Sequence, residues 1–308
     1  MNKKLKSSIF LMLCAMIWGT AFVAQRTGMD GIGPIYFNAL RMLIGGVVLI
    51  PIGMLTDKSA ARERAKLNLP AKTQEEKQLE KRNILIGGSI CGLVMFFAGV
   101  LQQIGMVSTN AGKTAFITTL YIVLVPIFGF VLKHRPSIAN WVGVGLGVIG
   151  LYFLCITEAL TIAPSDIIIL VGALFWAIHI LCTDHFAPKV NVSKLVCIQS
   201  FVSGFTSLII AFFVEEITMD GLMMAMPSLL YVGIMSTGFA FTFQALGQKD
   251  ANATVASIIL STESLFAAIS GYLILGEVFT GRELIGCILM FIAVIIAQLP
   301  TKKERKEK

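Results

Sequence analysis

The sequence predicts an all-α integral membrane protein of ten transmembrane helices, arranged as two inverted five-helix repeats. Three observations lead there. The first is composition: of 308 residues, 56% are hydrophobic and only 14% charged, with a mean hydropathy of +0.81. Soluble domains carry about 25% charged residues, so a chain this size has too few charges to cover a water-facing surface. The second is a series of apolar runs near the roughly 20 residues that a helix needs to cross a bilayer core. The third is a weak internal repeat.

The runs lie near 7–25, 34–54, 84–107, 112–132, 137–156, 166–183, 193–214, 228–246, 252–275 and 282–299. Helices are the only option at this density, because unpaired backbone in lipid costs several kcal/mol per group. The first run follows Lys3, Lys4 and Lys6 and could pass for a secretory signal. Phe22 at position −3 from Ala24 breaks the small-x-small cleavage rule, and Leu13 before Cys14 is a poor lipoprotein site, so it reads as an uncleaved helix. The second opens at Pro34 and carries Arg41; the third carries Gln102, and Asn110 stands before the fourth. The fifth holds GLGVIG at 145–150, which matches a dinucleotide-binding pattern but lacks the soluble strand that must precede one. Its glycines fit close helix packing instead. The sixth carries Trp176 and His179, the seventh Gln199, the eighth Gln244 and the ninth Glu263; a basic tail, 300–308, follows the tenth. The cysteines at 14, 91, 155, 182, 197 and 287 all fall inside apolar runs without metal-ligand spacing, as small buried residues do.

Basic residues set the orientation. With the amino terminus inside, 21 Lys and Arg fall on the cytoplasmic side, eight of them in the 55–83 loop, against Arg26, Lys113 and Arg282 outside and Arg41 within the membrane. Both termini are thus expected in the cytoplasm of a cell-membrane protein. The net charge of +7 then meets anionic membrane lipids and requires no nucleic acid partner. The 55–83 segment, with both signs mixed, reads as a solvated loop.

The repeat emerges from two alignments. AMIWGTAF at 15–22 and ALFWAIHI at 173–180 align Trp18 with Trp176, and the same offset of 158 aligns Arg41 with Gln199 and Gly46 with Gly204. An offset of 142 over 97–132 against 239–274 gives 9 identities in 36, among them Gln102 with Gln244 and Asn110 with Asn252. A further gap brings Gly143 onto Gly286. The repeats are therefore 7–156 and 157–299. Five spans is odd, so the second copy inserts upside down, the arrangement of secondary transporters with a midplane site between halves.

The IWG of the first helix, PIYFNALRMLIGG at 34–46, ALGQKDANATVASIILSTESLFAAISGYLILGE at 245–277 and Gly276-Glu277 before the last helix resemble the EamA-like drug/metabolite transporter family. The resemblance covers about 10–299. It implies ten helices, cytoplasmic termini, a central cavity lined from both halves with the fifth and tenth helices peripheral, and transport of small organic solutes, often amino acids or other metabolites. The family usually has proline after the glutamate of the ninth helix; this chain has Ser264, and the matching first-half positions carry Tyr121 and Ile122.

Polar residues inside the membrane then name the site. Glu263 lies about 12 residues, roughly 18 Å, from the cytoplasmic end of its helix. An acid at that depth faces a wet cavity or a partner, or else makes an interhelical hydrogen bond as a neutral carboxyl. It is the candidate for proton coupling. Arg41, some 10 Å in from the outer end, is set to snorkel, to pair with an acid, or to meet a substrate carboxylate. Gln102 and Gln244 recur in both halves and need partners. Trp18 and Trp176 lie away from the interface where Trp concentrates and read as cavity walls. With Tyr121 and Gln199 these residues are the candidate substrate-binding set. Asn110 and Asn252 read as helix caps, Trp141 as an interfacial anchor, and His179 as a packed core residue. His134 and His185 fall in loops and build no metal site with it.

The function expected is a secondary transporter for a small organic solute. No Walker motif occurs, so ATP is not the energy source and no cofactor is called for. An intramembrane enzyme would need clustered acids or a nucleophile–base pair at depth, where only Glu263 and His179 stand, in opposite halves of the bilayer. A non-transporting scaffold would explain the spans but not the inverted repeat.

Overall fold

The apolar stretches fold here into α1 (Lys3–Gly28), α2 (Pro34–Lys66), α3 (Gln74–Ser108), α4 (Ala111–Thr119), α5 (Tyr121–Val131), α6 (Ile138–Cys155) and α7 (Pro164–Phe186). There follow α8 (Val192–Val214), α9 (Met219–Tyr231), a π-helical stretch Val232–Ala240, α10 (Phe241–Gln248), α11 (Ala253–Leu260), α12 (Glu263–Leu275) and α13 (Gly281–Ala297). The computed structural model describes residues 3–66, 70, 72–109, 111–132, 136–156, 162–275 and 280–299. Asn110, Lys133, His134, Arg135, Gly276, Glu277 and the tail 300–308 lie outside them, as does the side chain of Cys155.

All ten apolar runs fall on helix. Among the described residues, eight stretches are long and apolar enough to cross a membrane; Ile138–Leu154 is apolar but shorter, and α13 has 17 residues. Large apolar side chains face outward, as with Phe212 at 73% and Phe213 at 78% exposed, a surface that suits lipid rather than water.

The 55–83 segment departs from the loop reading. α2 continues to Lys66 and α3 starts at Gln74, because the segment is rich in Ala, Arg, Lys and Glu, good helix formers all. Thr73 and Glu76 close a capping box at the start of α3. At 33 and 35 residues, both helices reach about 50 Å and outrun a bilayer core of about 30 Å. Asn252 caps α11 by accepting from the Val255 N–H at 2.9 Å, as expected.

Two helices break at matched places. α4 gives way to α5 at Leu120, and α11 to α12 at Ser261–Thr262; positions 120 and 262 differ by the repeat offset. Hydroxyls replace the lost ladder bonds. Thr119 Oγ1 donates to Ala115 O at 2.6 Å, Ser261 Oγ to Ile258 O at 2.8 Å and Thr262 Oγ1 to Ile259 O at 2.6 Å. The second break therefore forms without the proline usual after Glu263.

Packing joins α2 to α8, α3 to α7 and α8, α6 to α13, and α1 to α12 and the α9–α10 stretch. Several contacts are reciprocal. A Cβ on Gly46 would meet the Phe201 ring at 3.1 Å, and one on Gly204 the Leu43 side chain at 2.9 Å; Leu43 and Phe201 are themselves offset by 158. Gly143 faces Ala293 O, and Gly286 faces Gly150 O. The Glu215 carboxylate accepts from the Ile35 and Tyr36 N–H groups at 2.9 and 2.8 Å, while its counterpart Asp57 pairs with Lys194 and accepts from Asn191 Nδ2 at 2.6 Å.

Candidate functional site

At the centre, α1, α2, α3, α4, α5, α7, α10, α12 and the π stretch surround a narrow pocket, with about 30 Å³ open to the centre of a water-sized sphere and about 480 Å³ of empty space once open solvent is counted. Trp18, Phe22, Gln25, Arg41, Gln102, Thr118, Tyr121, Trp176, Ile180, Ser236, Phe241, Gln244 and Glu263 line it. Eight of these thirteen form repeat-matched pairs: Trp18 with Trp176, Phe22 with Ile180, Gln102 with Gln244, and Tyr121 with Glu263.

Two pairs touch across the middle. The Tyr121 hydroxyl donates to Glu263 Oε1 at 3.0 Å, in a fully buried setting. Each residue opens the helix that follows its break, α5 and α12, where a carboxylate also meets the positive end of the helix dipole. The Trp18 and Trp176 rings lie 6.2 Å apart, and Phe241 completes an aromatic wall, 5.0 Å from Trp18 and 5.9 Å from Trp176. Trp176 Nε1 donates to Gln102 Oε1 at 2.7 Å, whereas both amide atoms of Gln244 are buried with no partner.

Arg41 is 3% exposed. Its Nε and Nη2 donate to Asn38 Oδ1 at 3.1 and 2.9 Å. Asn38 Nδ2 in turn donates to Ser207 Oγ at 2.8 Å, and Ser207 Oγ to Ser203 O at 2.8 Å, so α8 fixes the Asn38 amide that holds the guanidinium. Among the described residues no carboxylate pairs with Arg41. Room for it comes from Gly99, where a Cβ would stand 2.7 Å from Asn38 Oδ1 and 3.2 Å from Arg41 Nη2. The matched residue in the second half is Phe241.

Seven of the eight sequence candidates therefore share one cavity; Gln199 does not line it. Its Oε1 stands 3.4 Å from His179 Nε2, and His179 packs edge-on against Trp176 and Phe241. Sequence reasoning missed Phe22, Gln25, Thr118, Ile180, Ser236 and Phe241. Phe22 and Ile180 were within reach, one helical turn beyond each matched Trp. Ser236 had no such signal, because it sits in the π-helical stretch. Among the described residues no group of three His, Cys, Asp or Glu could hold a metal ion.

The model of the EamA-like transporter family matches residues 5–156 and again 163–298. The chain belongs to the EamA-like transporter family. Similar proteins include an uncharacterized transporter of Archaeoglobus fulgidus, 28% identical over 96% of this chain and 87% of its own length. Another is the uncharacterized transporter YoaV of Bacillus subtilis, 26% identical over 89% and 90%. A crystal structure of a protein 18% identical superposes with a TM-score of 0.74 over 98% of both chains, a likeness of fold. This EamA-like chain is thus a multi-pass membrane protein whose family and relatives are transporters, and those names speak against an enzyme.

Proposed function

We propose that the protein is a secondary transporter that moves a small organic metabolite, such as an amino acid or related solute, across the cell membrane by alternating access. One observation carries this: matched residues of the two halves line a single buried cavity. A site shared by two copies of one unit can be opened to either side as one copy rocks against the other. The reciprocal glycine and carboxylate contacts favour two inverted five-helix repeats, 7–156 and 157–299, since residues related by a two-fold axis must exchange contacts in this way. The excess of Lys and Arg at one end favours cytoplasmic termini. Glu263 is the proton-coupling candidate, and an uncoupled facilitator differs from this reading only there.

Comparing metabolites inside and outside cells that lack or overproduce the protein identifies the solute. Purified protein in liposomes should then exchange labelled for unlabelled solute, faster when solute is present on both sides. Absence of exchange for every solute whose distribution responds would defeat the proposal.

A further inference from the structure

Arg41 presents an unfinished hydrogen-bond pattern to the cavity. A guanidinium carries five N–H groups in a fixed plane. Asn38 Oδ1 takes one from Nε and one from Nη2. The edge formed by Nη1 and the second Nη2 proton has no partner among the described residues, and two parallel N–H groups on that edge match the two oxygens of a carboxylate. The Asn38–Ser207–Ser203 chain keeps the plane from turning away.

Charge points the same way. A guanidinium stays protonated at physiological pH, and a buried cation without a counter-ion is costly. The nearby acid does not serve, because the Tyr121 hydroxyl engages Glu263 and no ion pair joins it to Arg41. Further unpartnered polar atoms face the same space, namely the Gln244 amide and Thr118 Oγ1. Buried polar groups without partners in a binding cavity are completed by what binds there. The rings of Trp18, Trp176 and Phe241 line the same pocket.

We propose that the cargo is an organic carboxylate, its anionic head held end-on by Arg41 and its apolar body against the Trp18–Trp176–Phe241 wall. One fixed cation suits a monoanion, and an amine of the same shape meets like charge. The proposal rests on the cavity being the substrate site.

The test uses the purified full-length protein and two observables, its melting temperature and the fluorescence of the cavity tryptophans. Phenylacetate and 3-phenylpropionate are compared with phenylacetamide and phenethylamine, which keep the ring and lose the anion. Both carboxylates should raise the melting temperature and saturate, with the amide and amine at least tenfold weaker. Arg41→Lys should weaken carboxylate binding severalfold, since an ammonium offers no fork. Arg41→Gln should weaken it at least tenfold with an unliganded melting temperature equal to wild type or higher, because an uncompensated buried charge is gone. Equal binding of the amide or amine, no response to either carboxylate, or unchanged binding in Arg41→Gln overturns the proposal. So does an Arg41→Gln protein that melts well below wild type, which would make Arg41 a structural group. Carboxylate binding without exchange in liposomes counts against transport and leaves this inference standing; exchange only of solutes that carry no carboxylate does the reverse.

Discussion

Tyr121 and Glu263 differ in sequence by 142 positions, the repeat offset, and yet touch at 3.0 Å. In the proposed inverted-repeat transporter, matched residues that meet would lie on the axis relating the halves, where a rocking motion would keep the acid central while its water access changes sides. A carboxyl there can carry a proton from one side to the other. Glu263→Gln, which keeps the shape and fixes the uncharged form, should abolish solute accumulation driven by an imposed pH gradient in vesicles while leaving solute exchange largely intact. Accumulation that survives would reduce Glu263 to a packing or binding residue. Much of this site was legible from polar residues in apolar runs. Arg41 and Glu263 stood out because charge at that depth needs a reason. Gln199 misled because it shares both traits, polarity and a matched position, but its neighbour is His179.

At the scale of elements, the two broken helices position Tyr121 and Glu263 of the candidate site. Breaks at Leu120 and at Ser261–Thr262 bring Tyr121 and Glu263 to fresh helix starts, and hydroxyls stabilise both by bonding back three or four residues. Removing the hydroxyls of the second break restores the incentive for a continuous ladder. The double variant Ser261→Ala, Thr262→Ala should turn Glu263 away from Tyr121 and slow exchange about tenfold, with little change in melting temperature. An unaltered exchange rate would show that the break needs no side-chain support. No proline marked this break in the sequence, since serine and threonine are common within spans and only a look at their acceptors reveals their part. The π-helical stretch that carries Ser236 to the cavity was equally silent.

At the scale of the whole molecule, ion pairs between helices stand at both ends. On the end away from the basic residues, Lys113 Nζ meets Asp166 Oδ2 at 2.6 Å, joining the start of α4 to the start of α7. The matched positions at the opposite end are Val255 and Ser8, which line one pocket wall together and form no ion pair. The pair thus has no repeat-matched equivalent among the described residues, while at the other end Asp57 and Lys194 tie α2 to α8. Lys113→Gln, which leaves Asp166 free to cap α7 through the Ala163 N–H, should speed labelling of a cysteine at Gln25 by an external impermeant maleimide severalfold. No acceleration would mean that the pair is not a gate. The orientation itself is open to a direct check with single cysteines at Ser59 and Thr280. Ser59 should stay protected in intact cells and Thr280 react; the reverse pattern inverts the topology.

The sequence by itself determined that this is a helical membrane protein, where its apolar helices fall, which family it belongs to and seven of the thirteen residues that line its central pocket. Those features depend on composition, periodicity and local spacing, which a chain carries without being folded. Only the tertiary structure decided which polar residues meet. It paired Glu263 with Tyr121, left Arg41 without an acid among the described residues, sent Gln199 to His179 and set Gly99 against the Asn38 amide and the Arg41 guanidinium. Partner choice depends on side chains brought together from helices over a hundred residues apart, and the departures from symmetry that shape the site exist only between elements already packed.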